Sequence, residues 1–424
     1  MAGNEEHDTD HHDFLQWALS NGFQINGVAP CRFPGRGMGM IATRTIEADE
    51  IMLNIPMSTM LTIDSIPEEF VDRFPPGTSI HAILAAFLTH GDTSFLQRWA
   101  TWRKVWPSRR EFQESLPILW AESSETTGPP FPPNQCKEQL LLPPSACDSW
   151  NSFSRVPDEG QHQDAYQSIL VKQQKRLYDA WANVLSVFPN TDWDVFSYHW
   201  LILNTRSFYY LNEEKPPADW NDAIGLLPFA DYLNHTDNAP CEVTYDGEMY
   251  TFKAKARHEK GDEIFMSYGP HHNDYLWVEY GFFLDQNGSD AVYLDDIIFQ
   301  EFTADDKETL RSHDYYGHYE ITSSGVSSRV ETVASFKYME REDWEAYVLD
   351  PSSSGHIPLQ ATELVRRWMK AYWVESLLAI QRLKEKADVL EKSSLAPGSE
   401  RIAALLRRWI QIRDLCRSAL DRIA

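Results

Sequence analysis

The chain has 424 residues, 42% of them hydrophobic and 13% aromatic, so it is long enough to bury a large core and has an ordinary globular composition. Its 38 Lys+Arg and 63 Asp+Glu give a formal net charge of −25, which argues against direct binding of nucleic acid. The charge is uneven, because 361–424 carries 13 Lys+Arg and 8 Asp+Glu. The acidic remainder suits a basic partner that it would attract electrostatically, or it only keeps the chain in solution.

The five cysteines are scattered and form no CxxC pair, which argues against a zinc ribbon or a disulfide framework and is typical of reduced thiols inside the cell. The N-terminus is acidic and polar, unlike a signal peptide, and no apolar run approaches the roughly 20 residues that a membrane span needs. We therefore expect a monomer in the cytoplasm, the nucleus or both, with no membrane contact.

The first 56 residues predict a tail, a helix and three strands. Residues 1–13 have the composition of a disordered tail, and 14–21 predict a short helix that ends at Gly22. The stretch 31–56 then predicts a strand, a Gly-rich turn, a strand, a turn and a strand. In the last strand Ile51, Leu53 and Ile55 alternate with the strand period of two.

Helical character follows from about 64 to 195, with helices predicted at 81–90, 95–106 and 165–185. Between them 121–160 is rich in Pro and Ser and predicts loops. Strand character then returns at 225–229, 242–245, 250–254 and 263–267, and Asp246-Gly247 predicts a hairpin turn between two of these strands.

The last part of the chain, from about 285, opens with a β-like stretch at 291–302 and ends in helices. Two one-sided apolar stripes predict helix faces in the core. Their members are Leu364, Trp368 and Tyr372 in the first, and Ile402, Leu405, Leu406 and Trp409 in the second.

Two short segments have the residue types of a ligand site. Glycines at 35, 37 and 39 let the backbone approach a ligand without a Cβ clash, and a strand rather than a helix follows, unlike a dinucleotide-binding turn. In 204–210 a cation precedes aromatics, a set that can hold a carboxylate and line an apolar slot. The alternatives are a simple hairpin turn and the end of an amphipathic helix.

Two further segments place polar or aromatic groups at the ends of strands. Asp231, Asn234 and His235 crowd together after an apolar strand, where a ligand can supply the partners that buried polar groups need. The strand at 263–267 delivers Tyr268 beside a glycine, and Tyr280-Gly281-Phe282 follows. A hydrogen-bonded turn and ordinary core aromatics are the alternatives.

In this order the segments resemble the SET-domain protein methyltransferases, and more narrowly the branch of the plant Rubisco large-subunit methyltransferase. The resemblance covers nearly the whole chain from about residue 14 and rests on GxG at 37–39, DxxNH at 231–235, GDEIFMSYG at 261–269 and EYGF at 279–282. It implies an α+β protein, in which a SET fold of short β-sheets with a pseudo-knot spans 14–284. A helical insertion lies at about 64–195, and a mostly helical lobe follows at 285–424.

The resemblance also implies S-adenosyl-L-methionine as cofactor, no metal, and a protein substrate. Tyr268 matches the catalytic tyrosine. Residues matching the family's cofactor site are Gly37, Met38, Gly39, Arg206, Phe208, Asp231, Asn234, His235, Tyr268, Tyr280 and Phe282. Thr236 stands where many members have Ser and keeps the hydroxyl. No cysteine cluster follows, so the zinc-binding post-SET segment of many histone-type relatives is absent from this sequence.

The acceptor that the resemblance implies is a lysine. A histidine-methylating relative has a polar amide where this chain has Phe208, and an aromatic wall suits the long apolar stem of lysine better than an imidazole. A histidine acceptor remains the alternative on the same fold. Ribosomal proteins, translation factors and histones are all compatible with a basic substrate, and the sequence does not choose between them.

Two readings outside this reaction stay open. His235-Thr236-Asp237 contains the H-x-D of an iron facial triad, for which His258, His271 or His272 would be the distal ligand of an oxygenase. A SET-fold binding module without activity is the other. Such a protein is expected to lose the tyrosine or the Asn-His pair, and this chain keeps both.

Overall fold

A computed structural model describes residues 2–120, 139–153, 168–212, 222–349, 358–392 and 399–423, with the backbone alone at 2–8 and 391–392. The described residues group into two compact units. The first takes those of 1–113 and 173–270, and the second those of 114–121, 133–172 and 271–424. The second unit therefore takes in part of the predicted insertion together with the chain from His271 onwards, and the domain boundary at 285 stays a prediction. Trp409 illustrates the reason, since its indole Nε1 donates to the Leu141 carbonyl at 2.7 Å.

The helices and strands of the described residues alternate unevenly along the chain. The helices are α1 (Ala2–Ser20), α2 (Glu68–Val71), α3 (Ile80–His90), α4 (Thr93–Leu96), α5 (Ala100–Arg103), α6 (Arg109–Ser115), α7 (Pro144–Cys147), α8 (Ile169–Val187), α9 (Trp193–Arg206), α10 (Asn273–Tyr280), α11 (Asp295–Phe299), α12 (Ala304–Ser312), α13 (Ser328–Phe336), α14 (Arg341–Leu349), α15 (Leu359–Lys392) and α16 (Ser399–Arg422). The strands are β1 (Gln24–Ile25), β2 (Val28–Phe33), β3 (Gly37–Ala42), β4 (Ile51–Pro56), β5 (Ser207–Tyr209), β6 (Ile224–Leu226), β7 (Asn234–His235), β8 (Cys241–Tyr245), β9 (Met249–Ala254), β10 (Glu263–Met266), β11 (Ala291–Tyr293), β12 (Glu320–Thr322) and β13 (Gly325–Val326).

The first unit contains short sheets and the helices α3 and α9, which pack on each other. One sheet has the order β1-β4-β9-β8 and another the order β2-β3-β10-β7, while β5 pairs with β6. Strands β2 and β3 form a hairpin in which Phe33 faces Gly37. Gly35 and Gly37 both have a φ of +75°, the left-handed conformation that glycine adopts readily. The expected strand, Gly-rich turn and strand are confirmed here.

The second unit joins the sheet β11-β12-β13 to a helical core in which α15 packs along α16. The predicted stripes lie in this core. Leu364, Trp368, Tyr372, Leu405 and Trp409 are buried, as is Ile402. Leu406 is half-buried, so it lies at the edge of its stripe. The helical C-terminal part of the α+β prediction is confirmed.

Helix α1 corrects the expectation of a disordered tail. It begins at Ala2 rather than at residue 14. His11 Nδ1 lies 2.6 Å from the Tyr232 hydroxyl, and Lys104 pairs with Asp10 at 3.7 Å. These tertiary contacts outweigh the weak helix propensity of the acidic N-terminal residues.

Two further predicted elements are wrong in part. The helix expected at 95–106 is divided into α4, a 3-10 turn and α5, which lets Trp99 reach the Thr59 carbonyl and Trp102 reach Asp231. The stretch 291–302 forms β11 only to Tyr293 and then helix α11, whose first residue, Asp295, accepts two backbone N–H groups of the segment 318–319. The loops expected at 121–138 and 154–160 lie outside the described residues. Among the described helices, none combines the length and apolarity of a membrane span.

Candidate active site

Strand β10 is the centre of the site, because it lies between β3 and β7 and pairs with both. It runs antiparallel to β3, where Ile264 faces Met40. It runs parallel to β7, where Phe265 faces Asn234 and Met266 faces His235. The chain thus brings three of the predicted segments to adjacent strands: the Gly-rich turn, the Asn-His pair and the strand that leads to Tyr268.

At Gly39 the side chains of the neighbouring strands approach the β3 backbone closely. A Cβ atom at this position would lie 2.7 Å from Asn234 Nδ2 and 2.8 Å from Glu263 Oε1. In the space that the missing side chain leaves, Asn234 Nδ2 donates to Glu263 Oε1 at 2.8 Å and to the Met38 carbonyl at 3.2 Å. Arg36 pairs with the buried Glu263 side chain at 2.7 Å. Glycine is therefore required at 39 for the Asn234 amide to be held in one orientation.

Arg206 and Asp231 form a second polar cluster in the same unit. Arg206 is the last residue of α9, and its Nη1 donates to the Asp231 carbonyl at 2.9 Å and to Asp231 Oδ2 at 3.1 Å. Trp102 Nε1 donates to the same Oδ2 at 3.1 Å. Burial raises the pKa of Asp231, although Arg206 and Trp102 act in the opposite direction. Among the described residues, Asp231 Oδ1 is buried without a hydrogen-bond partner.

Tyr268 follows β10 and is fixed at both its backbone and its hydroxyl. Its N–H donates to His235 Nδ1 at 3.0 Å, and its hydroxyl donates to the Leu233 carbonyl at 2.7 Å. The two rings lie 5.1 Å apart. Burial raises the pKa of Tyr268 to about 12, so the hydroxyl keeps its proton at neutral pH.

The aromatics predicted for the site belong to different units. Phe208 lies in β5 of the first unit, half-buried, with its ring 6.3 Å from that of Phe252. Tyr280 ends α10 of the second unit, and its ring lies 6.4 Å from that of Phe282. Gly281 between them has a φ of +85° and caps the helix in the left-handed conformation. The place of Tyr280 and Phe282 in a cofactor pocket stays a prediction.

Three groups of this site were missed by sequence reasoning. They are Trp102, which holds Asp231, Glu263, which holds Asn234, and the Leu233 carbonyl, which holds Tyr268. Glu263 carries a signal in the sequence, since an acidic residue inside an apolar strand needs a partner. The other two contacts join positions whose partnership no local pattern encodes.

The oxygenase alternative requires a third metal-ligating side chain near His235 and Asp237, and the described residues place none there. Across the described residues, no three His, Cys, Asp or Glu side chains are grouped as metal ligands. His235 Nδ1 instead accepts the backbone N–H of Tyr268.

Comparisons with known proteins identify the family. The model of the SET domain matches residues 37–269, more than half of the chain, so the chain belongs to the SET-domain family. SET domain-containing protein 4 of Homo sapiens is 23% identical over 99% of this chain and 92% of its own length. Ribosomal lysine N-methyltransferase set11 of Schizosaccharomyces pombe is 32% identical over 42% of this chain and 43% of its own length.

The solved structures agree with the predicted fold. The structure of Rubisco LSMT bound to sinefungin and monomethyllysine superimposes with a TM-score of 0.59 at 16% identity, and it covers 98% of this chain and 90% of that one. The predicted α+β fold of the Rubisco large-subunit methyltransferase branch is therefore confirmed.

Proposed function

We propose that this chain transfers the methyl group of S-adenosylmethionine to a lysine side chain of another protein. The observation that carries the proposal is the meeting of the Gly-rich segment, the Asn234-His235 pair and Tyr268 on three neighbouring strands. Membership of the SET family and the similarity to proteins named as lysine methyltransferases support the same reaction.

The side chains of the first unit match the charges at the amino-acid end of this cofactor. Among the described residues, Arg206 uses only Nη1, so Nε and Nη2 remain to bind a carboxylate. Asn234 uses Nδ2 on Met38 and Glu263, which leaves its amide oxygen as an acceptor for an ammonium group. When bound, S-adenosylmethionine supplies a methyl group on a positively charged sulfur.

Tyr268 acts as an oriented hydroxyl group rather than as a base. Its pKa of about 12 keeps it protonated, and the proton points at the Leu233 carbonyl. A tyrosine hydroxyl oxygen can accept hydrogen bonds as well as donate one, which suits it to orient the attacking amine and the methyl group. Alignment of this kind supplies several kcal/mol or more of a displacement barrier.

The attacking lysine has to be neutral, while its ordinary pKa is about 10.4. Because Tyr268 does not take the proton, the amine loses it to water before the transfer. A water-poor aromatic channel lowers the pKa of the amine and assists this loss. Phe208, half-buried in β5, is the aromatic of the first unit that we assign to that channel.

We further propose that the substrate is a basic protein and that the enzyme works as a monomer in the cytoplasm, the nucleus or both. The net charge of −25 supports a basic partner, because opposite charges accelerate association. A ribosomal protein, a translation factor or a histone would meet this requirement.

The test is methyl transfer to an extract of cells that lack this protein. Purified wild-type chain and radiolabelled S-adenosylmethionine are expected to label a protein, and mass spectrometry is expected to locate methyl-lysine in it. Methyl-histidine at the modified position would instead establish the histidine alternative. Cofactor binding by calorimetry without any labelled protein would establish the inactive binding module.

A further inference from the structure

A second site lies in the helical part of the first unit. It is a cleft of about 260 Å³ between the segment 100–106 and helix α9. The described residues that line it are Ala100, Arg103, Lys104, Trp106, Tyr198 and His199. None of the residues predicted to bind S-adenosylmethionine is among them, so the cleft is distinct from the candidate active site.

Two adjacent cations, Arg103 and Lys104, line this cleft, and among the described residues only Lys104 has an acidic partner. Arg103 has no ion pair with any described carboxylate, and its guanidinium lies 6.0 Å from the centre of the Trp106 ring. Burial lowers the pKa of Arg103, which means that its charge is held in a partly dehydrated position. Among the described carboxylates Lys104 pairs with Asp10 alone, at 3.7 Å, and its side chain is 60% exposed. A positive cleft is unusual on a chain whose net charge is −25.

A buried donor lies beside these cations. Trp106 is 8% exposed, and among the described residues its indole Nε1 has no hydrogen-bond partner. A buried polar atom without a partner costs about 1–3 kcal/mol, so native structures usually supply one from a ligand or a water molecule. Trp106 therefore brings to the lining of the cleft a buried N–H for which the described residues provide no acceptor.

The neighbouring ring groups are neutral. The Tyr198 hydroxyl donates to the Pro107 carbonyl at 3.0 Å, and burial raises the pKa of this tyrosine. Burial lowers the pKa of His199 to about 3, so its imidazole carries no charge at physiological pH. The charged side chains that line the cleft are therefore those of Arg103 and Lys104, with flat aromatic surfaces beside them.

We propose that this cleft binds a small oxyanion, a phosphate or a carboxylate group of a solute, between Arg103, Lys104 and the indole N–H of Trp106. Guanidinium, ammonium and a neutral N–H are the donors that oxyanions prefer in proteins. The occupant offsets the cost of holding Arg103 and the Trp106 N–H away from water.

The test titrates the full-length chain with inorganic phosphate and, separately, with acetate by isothermal calorimetry at constant ionic strength. Saturable binding of phosphate or of acetate supports the site and tells which of the two groups it takes. No saturable heat with either anion overturns the proposal.

Three variants locate the binding, and a fourth is the control. Arg103→Gln and Lys104→Gln should each lower the affinity for the anion about tenfold, which is the usual effect of losing one charged hydrogen-bond donor. Trp106→Phe keeps an aromatic ring but removes the N–H, and it should lower the affinity for the anion severalfold.

Lys104→Gln changes an exposed side chain, so misfolding is no explanation for its effect. Arg73→Gln removes one charge at an exposed position over the Phe70 ring, outside the cleft, and should bind as the wild type does. Equal binding by all five proteins overturns the proposal. Cofactor affinity is a separate measurement, so failure here leaves the methyltransferase proposal standing.

Discussion

Each unit pairs an arginine with buried aspartate side chains, one in the first unit and two in the second, and the two clusters differ in what they leave unused. In the second unit Arg408 is fully buried and bonds Asp274 at 2.6 Å and Asp290 at 2.6 and 3.0 Å. In the first unit Arg206 is 23% exposed and bonds Asp231 through one nitrogen. The closed cluster holds helices together, whereas the open cluster keeps donors and an acceptor that a ligand can use.

The pKa directions of the two clusters express the same difference. Burial alone would lower the pKa of Arg408, but Asp274 and Asp290 outweigh burial and raise it. At Asp231 burial is the larger effect and raises the pKa of the carboxyl despite Arg206. Attraction therefore dominates in the closed cluster and dehydration dominates in the open one.

The largest effect on stability is expected from breaking the closed cluster. Arg408→Met leaves Asp274 and Asp290 as uncompensated buried charges, which should lower the free energy of unfolding by about 3–5 kcal/mol. Equilibrium unfolding in guanidinium chloride measures this free energy. Arg407→Met is the matched control, because Arg407 is exposed and lies 3.8 Å from Asp285, a geometry that contributes about 1 kcal/mol or less. Equal loss in both variants would contradict the contrast between the clusters.

The largest effect on turnover is expected from Tyr268→Phe. Removing this oriented hydroxyl should lower kcat by about a hundredfold or more, while the Kd of S-adenosylmethionine changes by no more than a few-fold. Tyr250→Phe is the control, since Tyr250 also donates to a backbone carbonyl of the same unit, that of Tyr209, at 2.6 Å. Near-normal turnover in Tyr268→Phe would remove the tyrosine from the mechanism.

Asn234→Ala should act on binding instead. Loss of the amide that contacts Met38 and Glu263 should weaken S-adenosylmethionine about tenfold, as for a hydrogen bond to a charged group. Calorimetry measures the Kd. Asn54→Ala removes an amide that bonds Gln24 elsewhere in the same unit and should leave the Kd unchanged. An unaltered Kd in Asn234→Ala would show that this amide is structural only.

Gly39→Ala tests the close approach of the strands with a single methyl group. The added Cβ has to displace Asn234 or Glu263, an overpacking that costs about 1–3 kcal/mol and should weaken the cofactor severalfold. Gly35→Ala is the control. A Cβ at Gly35 would meet no atom of the described residues within 4 Å. The φ of this position is +75°, so Gly35→Ala should lower stability slightly without changing cofactor affinity. Equal cofactor affinity in both would mean that Asn234 has room to move.

Local patterns in the sequence identify the strands of the site and some of its residues. Glycine spacing and apolar alternation predict β3 and β10, and the polar residues that follow a buried strand mark Asp231 and Asn234. Local patterns do not predict which residues these side chains contact. Trp102 lies 129 positions from Asp231 in sequence, and Arg206 lies 25 positions from it. No local pattern encodes such pairs, because they depend on how helices and sheets pack in three dimensions.

The stretch 291–302, which was predicted wrongly as β-like beyond Tyr293, also makes contacts that are distant in sequence. Ile297, Ile298 and Phe299 are an apolar run that fits a buried strand as well as a buried helix, and periodicity does not separate the two. In the structure this run is the helix α11, whose first residue, Asp295, accepts the backbone N–H groups of His318 and Tyr319 at 2.9 and 3.0 Å. That partner lies more than 20 positions away in sequence.

The smallest expected difference is in the shape of the pH profile. Between about pH 7 and 10, kcat of the wild type should rise with the neutral fraction of the lysine, whose ordinary pKa is about 10.4. Because burial holds the pKa of Tyr268 at about 12, the tyrosine does not titrate in this range, and Tyr268→Phe should follow a parallel, lower curve. If Tyr268 were the base, its ionised fraction would grow with pH, and the ratio of wild-type to mutant kcat would grow with it. A constant ratio of wild-type to mutant kcat therefore means that the Tyr268 hydroxyl acts through its orientation against the Leu233 carbonyl. The site of the first unit then binds and aligns the reactants, while the proton of the lysine is lost to water.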